Sequence, residues 1–117
     1  MIYLPLTRQN KRGETMNKES IQELEDFLAG TFHQDISNPD EALDDYINSV
    51  DVEWLNIMMS IISEFIESNI SEEKKNKIIT DNVEIYFPSL NMIPIEWLSR
   101  VLSRIDMFIQ SIDKDMI

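Results

Sequence analysis

The chain has one histidine, His33, two residues before Asp35 in the run Phe32-His33-Gln34-Asp35-Ile36. A His-Asp pair is half of a general-base arrangement, and covalent catalysis would need a Ser or Cys activated beside it. There is no cysteine at all and no serine positioned for that role, so the pair is weak evidence for catalysis. A lone histidine also leaves a His-based metal triad without its ligands. The structural alternative is that His33 and Asp35 bond backbone groups and fix a turn between two helices. Contact with a partner protein, alone or together with that turn role, is the other reading.

The carboxylates are the second group that could do chemistry. From Glu19 to Glu73 there are fifteen Asp and Glu residues and no Lys or Arg, the nearest bases being Lys18 and Lys74. Asp40, Glu41, Asp44 and Asp45 fall on one helical arc with Asn48, opposite Ala42, Leu43, Tyr46, Ile47 and Val50. Asp40 with Asp44, and Glu41 with Asp45, are like charges one helical turn apart, each pair costing roughly 0.2–0.5 kcal/mol. The helix dipole offsets this for Asp40 and Glu41 in the first turn and much less for Asp44 and Asp45. The preceding helix adds Glu19, Glu23, Glu25 and Asp26 on its polar arc. Such a run is either a solvated face or a surface shaped for a basic partner, since a local rule broken without local compensation often marks function. Asp40, Glu41, Asp44, Asp45, Glu23 and Asp26 are therefore the candidate binding residues. No calcium-loop spacing with a central glycine is present, and exposed helix faces do not supply the cleft a carboxylate-pair hydrolase needs. No catalytic residue, metal or cofactor is expected.

The elements that must carry these residues are helical. Glycine occurs twice and proline four times, so punctuation is sparse. Ser20 with Glu23 reads as a capping box, after which Ile21, Leu24, Phe27 and Leu28 share a face and Gly30 stops the helix. Asn38-Pro39 opens a second helix. Asp51 caps a third, with Trp54, Leu55, Met58, Ile61, Ile62, Phe65 and Ile66 inward. Ser71 with Glu72 and Glu73 starts a short fourth helix, in which Lys74, Lys75 and Lys77 lean toward its negative end. Val83–Phe87 is β-branched and aromatic, yet no partner strand is on offer, so an extended packed segment is predicted. A last helix from Pro94 repeats Trp97, Leu98, Val101, Leu102, Ile105, Phe108, Ile109 and Ile112 at spacings of three and four. The methionines, notably Met58, Met59, Met92 and Met107, read as core filler. The expected fold is all-α, a single-domain bundle of about five helices.

At 117 residues and 43% hydrophobic content the chain suffices for one core without staples, even at a net charge of −12. No apolar stretch approaches a membrane span and no signal peptide is evident, so the cytoplasm is the default compartment. Residues 1–18 carry a net +3, the rest −15. That break marks 1–15 as a basic leader, either a flexible arm, an arm laid on the acidic body by charge, or no part of the native chain, ahead of a helical domain over 16–117.

Two patches carry a family resemblance. One is Phe32-His33-Gln34-Asp35 followed by the helix start Pro39-Asp40-Glu41-Ala42; the other is Phe87-Pro88 followed by Pro94-x-Glu96-Trp97-Leu98. Together the chain resembles the immunity proteins of contact-dependent growth inhibition systems, which bind and silence a toxin domain delivered by a neighbouring cell. It departs from relatives at Thr31 and Ile36, where they often carry aromatics. The resemblance implies a stoichiometric inhibitor, not an enzyme. Its partner would be a cognate toxin C-terminal domain, a basic nuclease given the acidity, held over its active site or substrate groove. Direct contact with nucleic acid or membrane is not implied, and Phe32, His33, Gln34 and Asp35 read as structural. The alternative function is a small acidic helical adaptor binding a basic host protein.

Overall fold

The computed structural model describes residues 16–33 and 38–115. The leader over 1–15, and Gln34 and Asp35 of the His-containing run, lie outside the described residues. Five α-helices follow one another: α1 (Lys18–Thr31), α2 (Pro39–Ser49), α3 (Val52–Glu67), α4 (Glu72–Asn82) and α5 (Pro94–Asp115), with a 3-10 turn at Phe87–Leu90 before the last. No strand occurs among the described residues, so the all-α expectation holds.

Each start has a side-chain cap of the type that satisfies orphan helix N–H groups. Asn38 accepts from Glu41 N–H at 2.8 Å, Asp51 from Trp54 N–H at 2.9 Å and Ser71 from Lys74 N–H at 3.2 Å, as the sequence implies. The first helix differs. Its cap is Asn17, whose Oδ1 accepts from Ser20 N–H at 2.8 Å, so Ser20 lies inside the helix and forms no capping box. Gly30 likewise sits within the last turn, and the helix ends at Phe32, whose N–H reaches Leu28 O. The start of α5 is served from a distance, Asn76 Oδ1 of α4 accepting from Ile95 N–H at 2.9 Å.

The long α3 packs chiefly on α5; α1 lies over α3 and α4, and α2 bridges α1 and α5. Leu24, Leu28, Leu55, Met58, Ile62, Phe65, Ile79, Leu98 and Ile105 are fully buried at the meeting of these helices. Each contributes about 1.5–3 kcal/mol of burial. Met107 breaks the expectation of core filler, being 64% exposed on the outer arc of α5. Met16 does the reverse and is buried against the core.

The two sequence patches that carried the resemblance meet in space. Phe32 is fully buried, its ring 4.8 Å from Trp97 and 5.8 Å from Phe27, and Phe87 lies 5.7 Å from Trp97, all edge-on. Glu84 N–H donates to Phe32 O at 2.8 Å, pinning the extended segment to the end of α1. Burial alternates along that segment: Val83 and Phe87 inward, Glu84 and Tyr86 outward. This is the extended packed segment the composition predicts.

Lys75 is the only charged residue among the described ones that is buried. Its Nζ donates to Ile66 O at 2.7 Å and Ser68 O at 3.0 Å. It therefore neutralises the C-terminal end of α3, not the end of its own helix as its position in α4 suggested.

Candidate functional site

The helix α2 presents its carboxylates outward because Leu43 and Ile47, four apart, anchor the opposite face in the core. Asp40, Glu41, Asp44 and Asp45 are all exposed, as are Glu23 and Asp26 on α1. These six residues do not form one continuous cluster. Five of them are divided between two grooves, on either side of α2, and Asp45 lies in neither.

The first groove, of about 390 Å³, lies between α2, α5 and the 3-10 turn. Asp40, Glu41 and Asp44 form one wall, and Arg100 and Arg104 of α5 stand across from them. The Arg104 guanidinium bonds the Asp44 carboxylate directly and lies 4.0 Å from Asp40. The like-charge pair Asp40–Asp44 is therefore compensated by a base sixty residues away, which corrects the expectation of an uncompensated acidic arc at that pair. Both partners of the Asp44 pair keep about half their surface in water, so the pair contributes only about 0–1 kcal/mol. Asp45 lines neither groove and points to solvent.

The second groove, of about 300 Å³, runs between α1, α2 and α3 and is lined by Glu23, Asp26, Phe27, Tyr46 and Trp54, closed at one end by Gly30 and Thr31. The Phe27 and Tyr46 rings meet edge-on at 4.8 Å. The Tyr46 hydroxyl oxygen is shielded from solvent and makes no hydrogen bond of good geometry. Burial pushes the Tyr46 phenol above its ordinary pKa; the Trp54 indole nearby works against that, and the Glu23 charge adds to it. Asp26 accepts from Gln22 Nε2 at 2.9 Å, one turn earlier.

A third groove, of about 590 Å³, separates α3 from α5. Ser60, Ser63, Ser99 and Ser103 line its walls, with Glu64, Glu67 and Asp106 beside them. Of the run Phe32-His33-Gln34-Asp35, Phe32 is a core residue and His33 is exposed. Among the described residues no three His, Cys, Asp or Glu side chains converge as a metal site, and no helix is long and apolar enough to cross a membrane.

Sequence reasoning missed Arg104, Tyr46 and Trp54 as site residues. Arg104 carried no signal, because nothing local to α5 tells that α2 packs beside it. Tyr46 and Trp54 read as inward-facing, which they are in part; the clue was that both bear polar atoms at positions flanking Asp45 and Glu53.

Exposed carboxylates on rigid helix faces, with aromatic rings beside them, are suited to meeting a basic protein surface. No curated protein and no solved structure matches the chain. A family model described as CdiI immunity protein matches residues 20–105, a span that takes in both resemblance patches, the aromatic cluster they build and every candidate carboxylate. The chain belongs to the CdiI immunity protein family.

Proposed function

We propose that this protein neutralises its cognate toxin by binding the toxin's C-terminal domain and covering its active site or substrate groove. The toxin is a basic nuclease, and the encounter takes place in the cytoplasm of the protected cell. The observation that carries this reading is the run of fifteen carboxylates without a single base from Glu19 to Glu73, eight of which lie on α1 and α2. Carboxylates there take the ground that nucleic-acid phosphates occupy on the toxin, and they steer a fast encounter. Family membership supplies the inhibitor role; the charge supplies the partner's character.

Co-expression with the toxin domain encoded immediately upstream tests it. The two chains are expected to co-purify as a stoichiometric complex, and cells that make both are expected to survive. Cells that die despite abundant folded protein, with no complex recovered, would overturn the reading.

A further inference from the structure

The groove between α1, α2 and α3 combines features that the acidic surface alone lacks. Its lining has two carboxylates, three aromatic rings and no cation. Glu23 has no donor among the described residues, and Asp26 uses only one of its oxygens on Gln22. The sheltered Tyr46 hydroxyl lies beside the Trp54 indole but makes no hydrogen bond of good geometry, although buried polar atoms are almost always paired. Among the described residues no cation fills the site, since Glu19 to Glu73 holds no Lys or Arg and the ion pairs of Arg104 and Lys77 lie elsewhere. The groove thus calls for a group that is cationic, rich in donors and flat enough to lie on aromatic faces. Of the ordinary side chains only arginine is all three.

We infer that this groove receives one arginine side chain of the partner protein, the guanidinium lying against the Tyr46 and Trp54 rings and donating to Glu23, Asp26 and the Tyr46 hydroxyl oxygen. Arginine, tyrosine and tryptophan are the residues in which binding energy concentrates at protein interfaces, so this contact anchors the complex while the carboxylates of α2 steer it. The inference rests on the toxin-neutralising reading for the identity of the partner, and on the groove alone for the chemistry.

The probe is N-acetyl-arginine methylamide, added at millimolar concentration to the full chain and followed by nuclear magnetic resonance of the two indole N–H signals. Trp54 reports on this groove, and Trp97, which borders the α2–α5 groove already served by Arg104, reports on that other acidic site. The Trp54 signal is expected to shift saturably and the Trp97 signal to stay. The uncharged citrulline analogue should have no effect, and the lysine analogue should bind more weakly. Equal shifts with citrulline, tighter binding of lysine, or no shift with arginine would overturn the inference.

Two variants carry the test to the toxin domain. Glu23→Gln with Asp26→Asn should weaken the complex about tenfold or more. Tyr46→Phe should also weaken it, yet leave the free protein about as stable, because the hydroxyl it removes makes no hydrogen bond of good geometry. A merely structural tyrosine would give the opposite pattern. If wild-type protein protects and both variants protect with unchanged affinity, the arginine anchor fails while the immunity reading stands. If wild-type protein itself does not bind the toxin, the functional reading fails, and the titration still judges the groove.

Discussion

Replacing Lys75 with methionine removes one charge from a protein already twelve charges negative, yet its main effect should be on folding. The side chain is 8% exposed and donates two hydrogen bonds, 2.7 Å to Ile66 O and 3.0 Å to Ser68 O. A hydrogen bond to a charged group is worth about 1.5–3 kcal/mol, so two give an upper bound of about 3–6 kcal/mol. The loss is smaller than that bound. Methionine fills most of the volume of the lysine stem, and the carbonyls at the end of α3 lie close enough to the surface to regain some water. About 2–3 kcal/mol remains, which for a domain of this size lowers Tm by roughly 8–12 °C. The assay is thermal and urea unfolding by circular dichroism beside Lys74→Met, an exposed neighbour that loses the same charge. Lys74→Met is expected within about 0.5 kcal/mol of wild type. If Lys75→Met melts within about 2 °C of Lys74→Met, the link between α4 and the end of α3 does not carry the weight argued for it.

Three further outcomes follow from the same geometry. Asn17→Ala should destabilise by about 1 kcal/mol while Ser20→Ala changes little, since Asn17 and not Ser20 caps α1; urea midpoints decide this. Asp44→Lys with Asp45→Lys should abolish protection at a cost to folding of about 1 kcal/mol, because Arg104 loses a carboxylate and meets a like charge; a double variant that protects fully would remove α2 from the interface. Above pH 10.0 the unfolded chain releases the Tyr46 proton before the folded one does, so stability should fall as pH rises from there toward the higher folded value; Tyr46→Phe should remove that part of the slope in melts taken against pH.

Local signals in the sequence sufficed for the helices and failed for what joins them. Asn38-Pro39, Asp51 and Ser71 name their helix starts because cap and first turn are chemical neighbours along the chain. Asn17 was missed because Ser20 and Glu23 offer a better-known pattern three residues on, and only the buried Met16 before it shows that the chain is already docked there. Lys75, Asn76 and Arg104 each act on a different helix from their own, over nine, nineteen and sixty residues. Periodicity reports which face of a helix is apolar and says nothing about which neighbour its polar edge will meet. The candidate carboxylates were legible as an exposed set for that reason, whereas their partition between two grooves was not. Phe32 was legible as structural, and its reason is tertiary: it packs edge-on against Trp97, a residue from the second resemblance patch.

The central claim is that this chain silences a toxin by stoichiometric binding. The most direct measurement titrates purified protein into the purified toxin domain encoded beside it while the toxin's nuclease activity is followed, at low and at physiological salt. Activity is expected to fall linearly to zero at one protein per toxin. Association is expected to be slower at the higher salt, because steering across the acidic face is screened over roughly 8–10 Å. A toxin that stays active with the protein in excess, although the protein is folded, would contradict the central claim.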